Sequence, residues 1–448
     1  MAGAVPVEST FVAGQFGTVR VYAPEGVPVS GALLVSGDEG WNDEAAQMAN
    51  ELRGWGALVA GIDSRVYLDA LRSAGGPCAY PAAELESLGH AVQKRAGEST
   101  FRPPLLIGYG SGAALAYAAA VQAPAGTFAG VITLGYCATL PVSRRWCPGA
   151  GLRTQAVTHP DGVRFEAATQ LHTPWMQLHG EHDAACSVSA AQAFSAGMPA
   201  AKFVLVPKAE SGHYLDADSL PLFRDAWLKL VTASTERPML DADVRDLPLV
   251  EVPAANTSGR RFAVLLTGDG GWAGLDRDLS DKLSAAGMPV VVLSTLKYFW
   301  TERQPEVAAQ DLERIIRHYS TAWQKDQVLL IGYSFGANVL PFIVRQLSPA
   351  SRDRITAMTL IAPATHTGFE IRVADWLPGS TPVGHPIAPE MRRLSGVRTL
   401  CLFGSEDGDS LCPHLPAGIA RSVSLPGGHH FNDDVAGLAR EILAFSGP

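Results

Sequence analysis

The sequence contains Gln327-Val-Leu-Leu-Ile-Gly-Tyr-Ser-Phe-Gly-Ala-Asn338, a short apolar run that leads into Gly-Tyr-Ser-Phe-Gly and then into helix-forming residues. This order predicts a strand, a sharp turn and a helix. Ser334 lies on the predicted turn, where its hydroxyl would be exposed above the end of a sheet. Gly332 and Gly336 fit such a turn because backbone segments approach closely there and a Cβ atom would obstruct them. A strand-to-helix turn that merely contains a serine is the alternative interpretation.

The composition of the chain is that of a globular protein with two domains. A chain of 448 residues is longer than a typical domain with a single hydrophobic core. We therefore expect two domains of about 200 residues. No apolar run approaches the roughly 20 residues that a transmembrane helix needs. The net charge of −9 argues against nucleic-acid binding, which depends on clustered Lys and Arg. The first residues lack a basic region followed by an apolar stretch, so we expect no signal peptide in the chain as given.

Four landmarks of the sequence occur twice, in the same order. The distance from the first glycine of the second landmark to the aspartate of the third is 75 residues in both copies. Such agreement indicates a tandem duplication. The paired segments are Gly31–Trp41 with Arg261–Trp272, Leu105–Ala114 with Leu329–Asn338, His179–Asp183 with Phe403–Asp407, and Ser211–Tyr214 with Gly427–His430.

Each copy alternates short apolar strands with amphipathic helical stretches. This alternation predicts an α/β fold in which a mostly parallel sheet is covered by helices on both faces. The join is expected within residues 232–256, where three prolines interrupt the pattern and charged residues cluster as in a linker. We place the boundary at residue 236, which gives domains 1–236 and 237–448.

Two further side chains downstream of Ser334 complete a candidate catalytic triad. A serine hydroxyl is a weak nucleophile until a base takes its proton, and a carboxylate orients that base. In α/β-hydrolases these groups follow the serine in the order Asp or Glu, then His. Asp407 and His429 each come directly after a predicted strand, so both are expected at the sheet edge where Ser334 emerges.

The first copy helps to choose between neighbouring carboxylates and histidines. Asp407 is preferred over Glu406 and Asp409 because the first copy retains an aspartate at that position. His429 is preferred over His430 for the same reason. A surface carboxylate and a loop histidine without a catalytic role are the alternatives.

The N-terminal copy is predicted to be catalytically silent. It keeps Asp183 and His213 at the acid and base positions, but Gly110 stands where the second copy has its serine. Ser111 is adjacent, yet a shift of one residue on a rigid turn would aim its hydroxyl elsewhere. Glu39 occupies the position of a loop glycine in the second copy, and its charge would oppose an oxyanion.

Acyl transfer also requires hydrogen-bond donors for the developing oxyanion. The backbone amide of Phe335, directly after the serine, is one candidate. The second is expected from the glycine-rich loop 267–272, with Asp269 or Gly270 as the donor residue. A plain strand-to-helix turn is the alternative interpretation of this loop, which lacks the spacing of a phosphate-binding loop.

A segment after the next predicted strand supplies candidate substrate contacts. Lys297 and Arg303 are cations that would hold an anionic group, and Tyr298 and Trp300 are aromatic residues that tolerate lipid. Trp272, at the end of the glycine-rich loop, is a further candidate contact. A solvated, partly aromatic loop is the alternative.

The cysteines indicate disulfides rather than a metal site. None forms a C-x-x-C motif and no His/Cys spacing suggests zinc, so we expect no metal and no cofactor. Cys137 is close to Cys147, and Cys401 to Cys412, which suits local disulfides and an oxidising compartment. Six buried, reduced thiols are the alternative.

Four motifs together resemble the bacterial virulence proteins VirJ and AcvB. The resemblance is strongest over residues 245–446 and extends to the two-copy layout of the longer AcvB-type members. The motifs are Thr267–Trp272, Leu296–Trp300, Gly332–Asn338 and Leu425–Phe431.

The resemblance implies a periplasmic serine hydrolase that acts on aminoacylated phosphatidylglycerol at the membrane surface. It would cleave the ester that joins lysine or alanine to the glycerol of the lipid and so restore the negative charge of the lipid. The catalytic serine of the family carries over to Ser334, with Asp407 and His429 as its partners. The family is also linked to virulence and type IV secretion. Because the chain lacks a leader, the periplasmic location rests on the family and the cysteines.

Two other functions stay open at this point. One is a general carboxylesterase or thioesterase. The other is a non-enzymatic periplasmic adaptor for secretion, in which the silent copy docks a secretion-system protein.

Overall fold

The chain divides into two compact units, Met1–Arg237 and Pro238–Pro448, in a computed structural model. This division lies next to the boundary that the sequence predicts at residue 236. The structure describes residues 8–75, 78–158, 161–169, 171–210, 218–235, 243–254, 259–271, 274–371, 384–394 and 396–447.

The N-terminal domain is built on a large sheet that is parallel over most of its width. Its strands are β1 (Glu8–Val12), β2 (Thr18–Tyr22), β3 (Ser30–Val35), β4 (Ala57–Ile62), β5 (Leu105–Tyr109), β6 (Gly130–Leu134), β7 (Thr139–Leu140), β8 (Thr154–Thr158), β9 (Asp161–Phe165), β10 (Trp175–His182) and β11 (Ala201–Glu210). Within the described residues, eight of them pair in the order β1-β2-β4-β3-β5-β6-β10-β11, and β7, β9 and β8 form a small separate sheet. Only β1 and β2 run antiparallel to their neighbours in the large sheet.

Helices cover both faces of this sheet. They are α1 (Asp43–Gly54), α2 (Ser64–Ser73), α3 (Pro81–Arg95), α4 (Ser111–Gln122), α5 (Val188–Ser195) and α6 (Ser219–Thr235). Strands β3, β4 and β5 are buried at every position, as expected for central parallel strands that contact apolar side chains on both faces. Two separate apolar clusters pack against the two faces of the sheet. The predicted α/β fold class is confirmed.

The C-terminal domain repeats this plan with a smaller sheet. Its strands are β12 (Leu249–Val252), β13 (Arg261–Leu266), β14 (Val290–Leu293), β15 (Gln327–Tyr333), β16 (Ile355–Ile361), β17 (His366–Thr367), β18 (His385–Pro386), β19 (Thr399–Gly404) and β20 (Arg421–Leu425). In the described part of the domain, seven strands pair in the order β12-β14-β13-β15-β16-β19-β20, with only β12 antiparallel to its neighbour. This order matches that of β2-β4-β3-β5-β6-β10-β11 in the first domain, strand for strand.

Apart from the short α11, the helices described in the C-terminal domain each bury residues against this sheet or a neighbouring element. They are α7 (Gly274–Ala285), α8 (Thr295–Tyr298), α9 (Pro305–Ala322), α10 (Phe335–Gln346), α11 (Pro349–Arg352), α12 (Ala388–Arg393) and α13 (Val435–Ser446). In α9, Leu312, Ile315 and Tyr319 share the buried face at helical spacing. No helix in the described parts of either domain has the length and apolar character needed to cross a membrane.

Part of the predicted linker belongs to the second domain. The sequence assigns residues 232–256 to the join because prolines interrupt them, but β12 lies inside this range as an edge strand. Pro248 and Pro253 flank the strand instead of interrupting it, which is where proline is tolerated in a sheet. Val250 and Val252 pack on the apolar core of the C-terminal domain, so burial holds this segment in place.

All six cysteines form disulfides. The short-range pair predicted in the second copy is confirmed, but the expected pairing of Cys137 with Cys147 is wrong. Cys137 follows β6 at the sheet edge where the loop after β10 returns, and its partner Cys186 lies in that loop. Cys147 lies beside Ala79, whose carbonyl accepts its amide, and this brings it to Cys78. The three disulfides are Cys78–Cys147, Cys137–Cys186 and Cys401–Cys412.

Candidate active site

Ser334 occupies a sharp turn between β15 and α10, as the sequence predicts. Its φ of 49° and ψ of −115° lie in a region that residues with side chains rarely adopt. The flanking glycines permit this turn. A Cβ atom on Gly336 would lie 2.2 Å from the carbonyl oxygen of Leu266, and one on Gly332 would lie 2.6 Å from the backbone of the turn. The serine is therefore presented above the end of the central strand.

His429 lies between Ser334 and Asp407 and contacts both. Its Nε2 is 2.9 Å from the Ser334 hydroxyl oxygen, and its Nδ1 is 3.0 Å from Oδ2 of Asp407. With the proton on Nδ1, the imidazole donates to the carboxylate, and Nε2 can accept the serine proton. The imidazole is 41% exposed, so substrate can approach it, whereas the Asp407 side chain is only 10% exposed. The structure thus assembles a hydrogen-bonded Ser-His-Asp chain from three separate loops.

Tyr333 and His430 form a second hydrogen bond beside this chain, and sequence reasoning missed it. The Tyr333 hydroxyl is 2.7 Å from Nδ1 of His430, and the tyrosine ring packs against His429 as well. Burial, followed by the neighbouring imidazole of His429, lowers the pKa of His430, and burial raises the pKa of Tyr333. Both groups are therefore neutral near pH 7. A tyrosine directly before the serine was the available signal in the sequence.

The glycine-rich loop lies next to the serine. A Cβ atom on Gly268 would be 3.6 Å from Cβ of Ser334. The amide of Gly271 donates to the carbonyl of Gly268 at 3.0 Å, which closes a turn with Asp269 and Gly270 at its two central positions. The amides of these central residues are not used to close the turn. They stay candidate oxyanion donors, as the sequence predicts.

Phe335 is the first residue of α10. Its amide has no acceptor within the helix, because the first amides of an α-helix lack intrahelical partners. The positive end of the helix dipole adds to the attraction of this amide for an anion. The predicted oxyanion role of Phe335 is therefore consistent with its place in the fold.

A buried carboxyl group supports the glycine-rich loop from below. Asp276, in the first turn of α7, is 3% exposed, and its Oδ2 accepts the amide of Gly268 at 3.3 Å. Burial, and then the negative charge of Asp269, raises the pKa of Asp276 well above its usual range. The side chain holds the loop through its hydrogen bond to the Gly268 amide.

The predicted substrate contacts separate into exposed and buried residues. Lys297 is exposed, and Arg303 packs over the Tyr298 ring at 4.7 Å while donating to the Tyr298 carbonyl oxygen at 2.9 Å. Tyr298 and Trp300 are only 2% and 1% exposed, and the Tyr298 hydroxyl donates to Asp311. Their burial leaves them little surface for a substrate and makes them part of the core. Trp272 lies outside the described residues.

The N-terminal copy has the same turn without a nucleophile. Gly110 has φ 54° and ψ −124°, close to the values for the serine of the second copy. Oδ2 of Asp38 accepts the amide of Ser111 at 3.3 Å, so a carboxylate occupies the position of an oxyanion. Asp183 accepts two amides of its own loop. His213 lies outside the described residues.

The arrangement in the C-terminal domain is suited to one kind of chemistry, nucleophilic attack by a serine on an ester carbonyl. It combines an accessible hydroxyl, a base in contact with it, a carboxylate that contacts the base, and nearby amides that are candidate donors to an oxyanion. Among the described residues, no group of three His, Cys, Asp or Glu side chains is placed to hold a metal ion.

The domain that carries this site matches a known protein family. Residues 260–446 match the model of a family described as bacterial virulence protein (VirJ). The matched part of the chain, the C-terminal domain, is hereafter the VirJ domain. The match spans almost all of the second copy, including every member of the Ser-His-Asp chain, and it confirms the resemblance inferred from the motifs. No curated protein sequence matches the chain significantly.

Several solved structures are similar to about half of the chain. They include the esterase domain of a Rhodothermus marinus protein, with 18% identity over 50% of this chain and 97% of that chain and a TM-score of 0.34. An alpha-beta serine hydrolase homologue from Coxiella burnetii has 16% identity over 51% and 97%, with a TM-score of 0.33. The Agrobacterium tumefaciens protein Atu2452, of unknown function, has 19% identity over 47% and 100%, with a TM-score of 0.30. Similarities of this size do not establish a shared activity.

Proposed function

We propose that the VirJ domain is a serine esterase that hydrolyses the aminoacyl ester of aminoacyl-phosphatidylglycerol. The observation that carries the proposal is the chain of hydrogen bonds from Asp407 through His429 to Ser334. The resemblance to the VirJ and AcvB proteins supplies the substrate class and the periplasmic location. The three disulfides suit an oxidising compartment.

The reaction proceeds in two steps through an acyl-enzyme. Ser334 attacks the ester carbonyl as His429 accepts its proton, and the tetrahedral oxyanion is stabilised by the amides of Phe335 and Asp269 or Gly270. His429 then protonates the glycerol oxygen of the lipid, and phosphatidylglycerol leaves. Water, deprotonated by His429, attacks the aminoacyl-serine. The free amino acid departs, and the serine recovers its proton.

The acidity of the protein fits a cationic substrate. The net charge is −9, and Asp269, Asp407 and Asp433 all act electrostatically on the groups around Ser334. A negative field raises the local concentration of a positively charged headgroup such as lysyl-phosphatidylglycerol. We assign exposed Lys297 to contact with the lipid phosphate.

Release of free amino acid from lipid tests the proposal. The purified chain is incubated with mixed micelles of lysyl- or alanyl-phosphatidylglycerol, and free lysine or alanine is measured. Ser334→Ala removes the attacking oxygen and is expected to lower the rate by about three orders of magnitude or more. Ser111→Ala, the matched change beside the turn of the silent copy, is expected to keep the wild-type rate.

Three outcomes would contradict the proposal. Equal release by the wild type and Ser334→Ala would remove Ser334 from the reaction. Rapid turnover of short acyl esters without release of amino acid from lipid would identify a general carboxylesterase. Failure of a fluorophosphonate probe to label Ser334, together with no hydrolysis, would favour a non-enzymatic adaptor for secretion.

A further inference from the structure

A side chain on α10 fastens the loop that follows β16 to the helix of the nucleophile. Oδ1 of Asn338 accepts the amide of Ala364, in that loop, at 2.7 Å. Asn338 lies one turn after Ser334, and its own amide donates to the Ser334 carbonyl oxygen at 3.0 Å. The loop after β16 is therefore held to the first turn of the helix that presents the serine.

The same loop is bonded on its other side to the loop that carries Asp407. The amide of Leu411 donates to the carbonyl oxygen of Pro363 at 2.8 Å, and Ala364 and Ser410 form an isolated antiparallel bridge. Ser410 and Leu411 are each only 2% exposed, so these contacts lie in a buried environment that strengthens hydrogen bonds. The loop after β16 thus connects the helix of the nucleophile with the segment that carries the acid.

The acid and the base are joined to each other by a separate contact. The amide of Glu406 donates to the carbonyl oxygen of Gly427 at 2.9 Å, which bonds the loop of Asp407 to the loop of His429. The further requirement is a fixed distance from this pair to Ser334, whose hydroxyl oxygen lies 2.9 Å from Nε2 of His429. A small displacement of a base from its nucleophile lowers the rate strongly.

The silent copy has the equivalent loop but not the contact to the helix. Gly135 and Ala362 occupy the same position in the two loops, because each has a positive φ, 63° and 49°, and each amide donates to a carbonyl oxygen of the next strand in the sheet. Ala114 stands at the position of Asn338, four residues after the residue at the turn. An alanine side chain offers no acceptor, so nothing at this position can hold the loop by a hydrogen bond.

The contact that the silent copy does keep is the one between the two loops. Cys137, three residues after β6, bonds to Cys186, three residues after Asp183. Ala364 and Ser410 have the matching positions in the VirJ domain. The copy without a nucleophile therefore joins its loops to each other and lacks the side chain that ties them to the helix.

We propose that Asn338 is a positioning residue that sets the distance between Ser334 and His429 through its hydrogen bond to Ala364. The inference rests on the proposed function, in which Ser334 is the nucleophile. Without the acceptor on Asn338, the amide of Ala364 loses its partner, and the loops bonded to it are less constrained relative to the helix. The step in which His429 takes the serine proton then slows, whereas binding of the substrate is unchanged.

Substitutions of Asn338 test the role of its side-chain oxygen. Asn338→Ala introduces the residue of the silent copy and is expected to lower kcat on lysyl-phosphatidylglycerol about 5- to 20-fold, with KM nearly unchanged. A loss of the same size is expected in the rate constant for labelling of Ser334 by a fluorophosphonate probe. Asn338→Asp keeps an acceptor oxygen in a side chain of the same shape and is expected to stay within about threefold of the wild type in both measurements.

A control on the same helix separates positioning from a general loss of contacts. Gln346 lies about three turns after Ser334 and donates to Glu306 at 2.9 Å. Gln346→Ala removes this bond and is expected to leave kcat and the labelling rate at the wild-type values. Wild-type rates for Asn338→Ala, or equal losses in Asn338→Asp or Gln346→Ala, would overturn the inference.

The labelling rate needs no aminoacyl substrate, so it distinguishes the failure of this inference from that of the proposed function. If the probe does not label the wild type and no amino acid is released from lipid, the proposed function fails. If the wild type is labelled and Asn338→Ala is labelled at the same rate, only the positioning role of Asn338 is contradicted.

Discussion

Ser334 and its counterpart Gly110 adopt nearly the same backbone conformation, although only one of them carries a side chain. For glycine this conformation costs little, but for serine it is strained. The contacts around the serine maintain it, because its amide donates to the carbonyl of Ile361 and its carbonyl accepts the amide of Asn338. A strained residue that is held in this way is typical of a nucleophile on a strand-to-helix turn.

Tyr333 connects the serine turn to the histidine loop. Its hydroxyl bonds to His430, directly after the base, so loss of this bond loosens the position of His429 relative to Ser334. Tyr333→Phe is expected to lower kcat about 2- to 10-fold, the effect of one hydrogen bond, with KM nearly unchanged. Steady-state kinetics on an aminoacyl ester measures both values.

A second tyrosine provides the matched control. Tyr319 donates to Glu251 at 2.7 Å, within the same domain but with neither partner in contact with the Ser-His-Asp chain. Tyr319→Phe removes a similar hydrogen bond and is expected to lower the free energy of unfolding without changing kcat. Equal kcat values for both variants and the wild type would show that the bond to His430 does not position the base.

At the scale of elements, a disulfide holds the loop that carries the acid residue in each copy, Asp183 or Asp407. This loop is called the acid loop, and its disulfide joins it to a different part of the fold in each copy. In the silent copy Cys186, in the acid loop, bonds to Cys137 after β6. At the matching positions of the VirJ domain, Ala364 and Ser410 form an isolated β-bridge. There the loop is fastened instead by the Cys401–Cys412 disulfide, which joins β19 to the short 3-10 helix Cys412–His414 that follows the loop. The chain between these two cysteines contains Asp407.

Removal of the Cys401–Cys412 disulfide is expected to affect both stability and rate. A loop of this length closed by a disulfide stabilises a fold by about 3 kcal/mol. The double serine variant C401S/C412S is expected to lose about that much free energy of unfolding and to have a lower kcat, because the Asp407 loop is less constrained. Denaturant unfolding and steady-state kinetics measure the two effects.

The disulfide Cys78–Cys147 provides the control for this experiment. It lies in the silent copy and fastens no acid loop, so C78S/C147S is expected to destabilise the N-terminal domain while kcat stays at the wild-type value. A loss of kcat in both double variants, or in neither, would contradict a specific role for Cys401–Cys412 in positioning the acid.

At the scale of the whole molecule, each of the two units has its own hydrophobic core, so we expect the stability of each to depend on pH in its own way. His90, in α3 of the N-terminal domain, is 3% exposed, and burial lowers its pKa from 6.5 to about 3. Between these pH values the unfolded chain binds a proton that the folded domain does not. The free energy of unfolding therefore falls as the pH drops below 6.5, by about 1.4 kcal/mol per pH unit from this residue alone.

His90→Leu is expected to reduce the pH dependence of the N-terminal domain by that amount between pH 6.5 and 4. Hydrogen exchange of peptides from α3 and β5 reports on this domain separately from the VirJ domain. Parallel stability curves for the wild type and His90→Leu would show that His90 is protonated in the folded domain.

Much of the architecture was predictable because it depends on patterns that are local in the chain. Buried parallel strands require continuous apolar runs, and the serine turn requires glycines at fixed spacing, so the fold class and the position of Ser334 could be inferred from single segments. The duplication extended this to Asp407, whose spacing after the turn repeats, and to His429, whose counterpart follows in the same order. Strand β12 was not predictable, because its prolines resemble those of a linker and only packing on the core distinguishes the two.

The sequence by itself determined the duplicated α/β plan, the serine turn and the order of the candidate triad, because spacing along the chain reflects the repeating unit. Only the tertiary structure decided which side chains meet across loops that are far apart in sequence. It paired Cys137 with Cys186, buried Tyr298 and Trp300, bonded Tyr333 to His430 and placed Asp38 against the amide of Ser111. These outcomes depend on distances between elements, and a sequence pattern does not contain such distances.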